Sequence, residues 1–176
     1  MAAFSFFLER AQMKFECRNV FHQSYLPLYE RYFSSFQVES FSLLEIGVDD
    51  GEALKMWRNA FPNARIFGID ISPYTYLEGE SRITTIMGDA GNLKFLKTMM
   101  SIPNLKIVID DAGHQYHQQI ISFDFFFPTL PVGGFYVVED LDVSPQIIHY
   151  LNGRAEKNKG ISIHPHRNIV FLKKEE

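Results

Sequence analysis

The sequence predicts an α/β fold: a mostly parallel seven-stranded sheet with helices on both faces and a C-terminal antiparallel hairpin. Three observations predict it. Short apolar runs alternate with segments of helical period, the pattern of a parallel sheet whose strands are joined by helices. Most of these runs end in glycine or an acid, as strands do where they turn into ligand-facing loops. The last two runs are separated only by Pro165-His166-Arg167, which suits a hairpin.

In order, residues Phe4 to about Cys17 and Tyr25 to Phe36 carry apolar side chains at helical spacing, for example Leu28, Tyr32 and Phe36. Ser42 to Gly47 is a compact apolar run and reads as a buried strand. Glu52 to Phe61 returns to helical period and stops at Pro62-Asn63. Arg65–Asp70 and Arg82–Met87 are the second and third strands, and Asn92 to Met100 is helical. Lys106–Ile109 is the fourth strand, Gln115 to Phe127 a helix stopped by Pro128, and Gly134–Val138 the fifth strand. Ser144 to Leu151 reads as a short helix with Ser144 as N-cap and Pro145 at its first position. The polar run Asn152 to Lys159 reads as a mobile loop, and Ile161–His164 with Asn168–Leu172 as the hairpin.

Composition narrows the function classes. A chain of 176 residues, 46% hydrophobic, suits one domain with a sheet covered on both faces. The net charge of −4 disfavours nucleic acid as the partner, because phosphate contacts need clustered Lys and Arg. A single cysteine, Cys17, excludes an intrachain disulfide and a cysteine-based zinc site. The N-terminal apolar stretch Ala2–Leu8 is too short for a signal sequence, and no run reaches the length of a membrane span. A cytoplasmic, non-membrane protein is expected. Seventeen phenylalanines imply a bulky aromatic core or an aromatic surface awaiting a partner, and with the small size they suggest a homodimer.

The chemistry concentrates between Ile107 and Asp142. Asp110-Asp111 and Glu139-Asp140 end two apolar runs, 28 residues separate Asp111 from Glu139, and His114 lies three residues past the first pair. Carboxylates gathered at strand ends beside a histidine suggest a hard divalent cation next to a general base. The bland alternative is that these acids cap helices or face solvent.

A second group lies upstream. Glu45-Ile-Gly47-Val-Asp-Asp-Gly51 sits where the first strand turns into a helix, and its glycines let backbone approach a ligand. It departs from the dinucleotide pattern G-x-G-x-x-G at Val48 and Asp49-Asp50, so a cationic or zwitterionic ligand fits better than NAD. Asp70, ending the second strand 19 residues beyond Gly51, is placed to accept hydrogen bonds from ribose hydroxyls, or else is an N-cap or a solvated loop acid. Gly88-Asp89-Ala90 ends the third strand where an adenine edge would lie, although Asp89 alone reads better as a helix N-cap. Three such strand ends together favour a nucleoside site.

The segments LLEIGVDDGEALKMW (43–57), FGIDIS (67–72), GDA (88–90), IDDAGH (109–114) and SFDFFFPTLPVGGFYVVEDL (122–141) resemble class I S-adenosylmethionine-dependent methyltransferases. More narrowly, they resemble the metal-dependent sugar O-methyltransferases that act on macrolide-attached deoxyhexoses and rhamnosyl groups of polyketides. The similarity covers roughly residues 42–142, and HQSYLPLYERYF (22–33) resembles the helix before the family's first strand. The resemblance implies a Rossmann-like fold, S-adenosylmethionine as methyl donor, and Mg²⁺, or alternatively Mn²⁺, held by Asp111, Glu139 and Asp140. It makes His114, with Asp111, the catalytic pair, and Glu45, Gly47, Gly51, Asp70, Asp89 and Asp110 the cofactor-binding residues. Residues 42–176 would be the catalytic core of a single 1–176 domain, and 1–40 part of a lid or acceptor pocket. The acceptor would be a sugar hydroxyl on a small molecule or glycan.

There are departures from the family. Asp110-Asp111-Ala112-Gly113-His114 stands where the family usually has Asp-Asp-Gly-Ser-His, and Cys17-Arg18-Asn19 where an Asp-Lys pair is common. The large extra N-terminal domain of the macrolide enzymes has no counterpart. Alternatives are an O-methyltransferase for a catechol-like acceptor, a non-catalytic cofactor-binding module, or a domain of a larger glycan-modifying polypeptide. A dehydrogenase is disfavoured by the glycine loop.

The chemistry itself is simple. A sugar hydroxyl is a poor nucleophile near neutral pH; a divalent cation favours its deprotonated form, and an imidazole can take the proton. Oxygen ligands favour Mg²⁺ over zinc. Of the remaining histidines, His117 is expected to be structural or to support the site from behind, His22 to line the acceptor pocket, and His164 and His166 to be exposed in the hairpin turn. Trp57 and Phe123, Phe125, Phe126 and Phe127 are expected to pack in the core, the phenylalanines alternatively at an interface.

Overall fold

The structure, a computed structural model, describes residues 20–73 and 77–176, with side chains from Ser24 onward. The expected helix over 4–17, Cys17 and the side chain of His22 lie outside the described residues.

One seven-stranded sheet runs in the order β3-β2-β1-β4-β5-β7-β6. Strands β1 (Ser42–Ile46), β2 (Arg65–Asp70), β3 (Ile83–Met87), β4 (Leu105–Asp110) and β5 (Phe135–Val138) are mutually parallel. β7 (Ile169–Lys174) runs antiparallel to β5 and pairs with the edge strand β6 (Ile161–His166). β1 and β5 read as unbroken apolar or near-apolar runs because every residue in them is buried, as central parallel strands require.

Helices α1 (Val20–Phe33) and α2 (Glu52–Ala60) cover one face of the sheet, where Tyr29, Phe33, Trp57, Leu43, Ile109 and Val137 share one core. Helices α3 (Leu93–Leu96), α4 (Tyr116–Phe126) and α5 (Gln146–Lys157) cover the other, packing Leu96, Phe123, Ile147 and Leu151 on Leu44, Val108 and Tyr136. The alternation follows from strand pleating: neighbours along a strand point to opposite faces. The phenylalanines serve this core. Phe33 has no exposed surface, and its ring lies 5.5 Å from Phe135 and 5.8 Å from Phe171. Burial of such a ring contributes about 1.5–3 kcal/mol. Phe123, Phe126, Phe127 and Trp57 are buried as well.

Three local expectations are corrected. α5 continues to Lys157 rather than ending at Leu151, so most of the supposed loop 152–159 is helical; the buried stripe of Ile147 and Leu151 continues to Ala155, which packs on the same core. Pro145, not Ser144, holds the N-cap position, and the buried Ser144 hydroxyl makes no hydrogen bond. The hairpin turn is the two residues Arg167-Asn168, and His164 and His166 belong to β6. Both are half-buried against Tyr32, whose hydroxyl lies 3.0 Å from His166 Nε2. Pro165 is tolerated because β6 is an edge strand.

Candidate active site

The sheet order reverses between β1 and β4, and the carboxyl ends of β2, β1, β4 and β5 align there: Ile46 pairs with Ile69 and Asp110, and Asp110 with Val138. Such a reversal opens a crevice beyond the strand ends. The sequence-derived candidates lie in the carboxyl-terminal residues of the parallel strands, as Glu45, Asp70 and Asp110 do, or just beyond them, as the others do.

On the β1 side, Gly47 has φ +95°, and a Cβ there would lie 2.2 Å from the Asp111 carbonyl oxygen. Only glycine lets the β1 and β4 loops touch. Gly51 is the N-cap of α2 with φ 74°, and a Cβ would meet Leu77 Cδ1 at 2.7 Å. Asp70 accepts from the Val48 amide (2.9 Å) and the Ser72 amide (2.9 Å), so it ties the glycine loop to the end of β2. Asp89 accepts from the Gly91 amide at 2.7 Å, and the helix N-cap beyond it is Asn92, which accepts from Lys94 and Phe95. The glycine loop thus has a preformed shape, and its acids suit a positively charged ligand such as a sulfonium.

On the β4–β5 side, Asp111, His114 and Asp140 each offer a ligand atom, and all three atoms lie within 4.8 Å of one another. His114 Nε2 is 3.7 Å from Asp140 Oδ2. His114 (φ 50°) and Asp140 (φ 52°) both hold left-handed backbone, as does Asp49 (φ 45°). Non-glycine residues avoid that region, and strain of this kind gathers at functional sites.

The electrostatics set this group apart. Burial raises the Asp111 carboxyl to about 9, reinforced by Glu139, Asp140, Asp110 and Asp49, all carboxylates. Glu139 is pushed up to about 8 by burial, with Glu45 and Asp140 raising it further and the Tyr29 hydroxyl opposing. Burial likewise raises Glu45 to about 8, with Asp111 adding and Trp57 opposing. Carboxylates pushed together this way, with an imidazole beside them, have the donor set of a hard divalent cation site.

Glu139 does not join the three converging ligand atoms; it is buried on the α1–α2 face, where the Tyr29 hydroxyl donates to its Oε1. Glu45 sits on the same face, accepting from Trp57 Nε1 at 3.3 Å with Oε1, while its Oε2 is buried without a hydrogen bond. Asp110 points to the opposite face, where Oδ2 accepts from Ser122 (2.6 Å) and Tyr136 (2.8 Å). His117 is exposed on the first turn of α4 and takes no part in the cluster.

Two residues of α1, which the sequence marks only by their helical spacing, also reach the site. Tyr25 donates to Asp140 Oδ1 at 3.0 Å, and Tyr29 to Glu139. Their spacing of four places both hydroxyls on one helical face, a signal present in the sequence but silent about which carboxylates they reach. Burial and these carboxylates raise both phenols far above their ordinary range.

The seven strands in this order, with the closing hairpin and the crevice at the β1–β4 switch, are the Rossmann-like fold of class I S-adenosylmethionine-dependent methyltransferases. The calicheamicin methyltransferase CalS11 shares it at a TM-score of 0.63 and 14% identity, over 88% of this chain and 80% of that one. More narrowly, the chain is a homologue of sugar O-methyltransferases. It is 38% identical over 125 residues to the 8-demethyl-8-(2-methoxy-alpha-L-rhamnosyl)-tetracenomycin-C 3'-O-methyltransferase of Streptomyces olivaceus, covering 66% of this chain and 32% of the relative. It is 35% identical over 125 residues to the mycinamicin VI 2''-O-methyltransferase of Micromonospora griseorubida, covering 66% and 31%. The chain thus spans about a third of the length of these curated relatives. MycE, the methyltransferase of the mycinamycin biosynthetic pathway, solved in complex with Mg and SAH, superposes with a TM-score of 0.80 at 26% identity, over 86% of this chain and 50% of that one. No family model matches. Among the described residues, no helix is long and apolar enough to cross a membrane.

Proposed function

We propose that this chain carries the catalytic core of an S-adenosylmethionine- and Mg²⁺-dependent O-methyltransferase whose acceptor is a sugar hydroxyl. The observation that carries the reading is the convergence of Asp111, His114 and Asp140 within 4.8 Å at the switch point of a methyltransferase fold. The relatives named above act on sugar-bearing compounds, and much of their length lies outside the matched segment, so only the class of acceptor is carried over.

Asp111 and Asp140, with Glu139 alongside, would hold Mg²⁺ or Mn²⁺, whose positive charge would favour the deprotonated acceptor hydroxyl. His114 takes the hydroxyl proton at Nε2, the ring nitrogen facing Asp140. Asp140, 3.7 Å from that nitrogen, stabilises the imidazolium once it forms. The Gly47 loop and Asp70 hold the donor, with Gly51 and Asp89 shaping the same side, while Glu45 and Asp110 brace β1 and β4 behind it from opposite faces. The rest of the rate comes from keeping methyl and hydroxyl in line at attack distance.

Residues 42–176 are the catalytic core in this reading, with the N-terminal segment 1–40 part of a lid or acceptor pocket, a role supported by Tyr25 of α1 reaching Asp140. A cytoplasmic setting belongs to the same proposal, as does membership of a larger glycan-modifying protein. The aromatic surplus lends little support to a homodimer, since so many of the rings lie in the core.

The test is calorimetric titration of S-adenosylmethionine into the cofactor-stripped protein, followed by methyl transfer to rhamnosides, deoxyhexosides and catechols with Mg²⁺ or EDTA. One-to-one binding with Mg²⁺-dependent methylation of a sugar is expected. Transfer to catechols alone would replace the acceptor class, and full activity in excess EDTA would overturn the cation's role.

A further inference from the structure

The acidic cluster is held from outside as well as from its own loops. Helix α1 crosses the α1–α2 face with Tyr25 and Tyr29 one turn apart, and the two hydroxyls reach the two consecutive acids that follow β5. Tyr29 donates to Glu139 Oε1, and Tyr25 donates to Asp140 Oδ1 at 3.0 Å and reaches the Asn168 carbonyl at 3.4 Å. Neither ring is free to move. Tyr29 is 2% exposed and lies edge-on to Trp57 at 4.8 Å and to Phe171 at 5.6 Å, while Tyr25 is 5% exposed.

A neutral hydroxyl that donates to a carboxylate fixes the rotamer of that group. Partners of this kind around a metal site change cation affinity about 10–100-fold when removed. We infer that Tyr25 and Tyr29 are positioning residues, Tyr25 aiming Asp140 at the divalent cation and Tyr29 fixing the adjoining Glu139 against α1, so that cation affinity depends on the docking of α1. This rests on the proposed reading of the acidic cluster as a cation site. It also gives α1 a role that its apolar packing alone does not require: Phe or Leu at positions 25 and 29 would bury as much.

Trp57, the chain's one tryptophan, touches Tyr29 and donates to Glu45 at 3.3 Å, so its emission reports on this face. The experiment titrates Mg²⁺, and Mn²⁺ followed by electron paramagnetic resonance, into the full chain without cofactor, reading Trp57 emission in parallel. Tyr29→Phe and Tyr25→Phe keep ring packing, and thermal melts confirm that each variant is folded; Asp111→Asn is the control. The expected result is a roughly 10–100-fold weaker cation affinity for Tyr25→Phe, a smaller loss for Tyr29→Phe, and no binding in Asp111→Asn. Wild-type affinity in both folded tyrosine variants, with binding still lost in Asp111→Asn, would overturn the positioning role and leave the cation site standing. Absence of saturable binding in the wild type would remove the cation reading and this inference with it.

Discussion

Asp110 and Asp111 are neighbours in the chain and opposites in surroundings. β-Strand pleating sends consecutive side chains to opposite sides, and here it separates structure from chemistry. Asp110 faces α4, where burial raises its carboxyl while hydrogen bonds from Ser122, Tyr136 and the Ala112 amide oppose the rise. Asp111 faces the crevice, where burial and four other carboxylates all raise it, to about 9. Neutral hydroxyls stabilise the first acid, which ties β4 and β5 to α4. The second sits among charges of its own sign, an arrangement that is costly unless a cation or protons offset it. Residue type and strand position do not separate the two; the partners do.

Replacing each aspartate by asparagine should split the two roles. Asp111→Asn removes a cation ligand worth several kcal/mol at the transition state, so turnover should fall by about 10³-fold and Mg²⁺ stimulation should vanish. The cation-free melting temperature should stay level or rise, because folding no longer has to bury and protonate that acid. Asp110→Asn should do the reverse. It disturbs a buried hydrogen-bonded group at a cost of about 1–3 kcal/mol, lowering the melting temperature by about 2–4 °C per kcal/mol in a chain this size, with Mg²⁺ affinity changed far less. Melting curves and Mg²⁺ titrations on both variants decide the matter; equal loss of cation binding in the two would show that the division between them is false.

The base can be separated from the cation holders in the same way. His114→Asn tolerates the left-handed backbone at φ 50° better than alanine would, so loss of function would not reflect a distorted loop. Turnover should drop about 10²–10⁴-fold, while the affinity for S-adenosylmethionine, measured by calorimetry, stays close to wild type. An unchanged kcat would remove His114 as the proton acceptor and leave it a cation ligand only.

How much of this was legible in the sequence follows from the range of the forces involved. The five parallel strands could be read because each is a short apolar run ended by glycine or an acid, and their C-terminal acids therefore fell on one edge. The end of α5 could not, since Asn152-Gly153-Arg154 looks like a break until packing shows Ala155 continuing the stripe of Leu151. Pro165 read as a turn for the same reason; only the sheet order shows that β6 is an edge strand with room for it. In the site, the residue types and the 28-residue spacing were visible. The left-handed backbone of His114 and Asp140 was not, because it is imposed by loop closure. Nor could a sequence say that Tyr25 and Tyr29 meet carboxylates 115 and 110 residues away, or that Glu139 turns from the other three toward α1.

The last expected effect is a dependence of stability on pH, carried by the crowded acids of the crevice and of the α1–α2 face. Glu45 and Glu139 are raised to about 8 and Asp111 to about 9, against an unfolded value of about 4. Between those limits the folded chain holds protons that the unfolded chain has released, so stability falls as pH rises. The contribution of these acids is complete below about pH 4 and is lost as pH climbs through 8–9. The cation-free melting temperature should therefore decline across the neutral range. Mg²⁺ should restore it more at pH 8 than at pH 6, because the cation competes with protons for the same oxygens and displaces them on binding. Calorimetry at pH 7 in two buffers of different ionisation enthalpy would count the protons released, and Asp111→Asn should lower that count. A cation-free melting temperature that rises from pH 5 to pH 8 would mean that these acids are already paired in the folded chain and that their crowding carries no such cost.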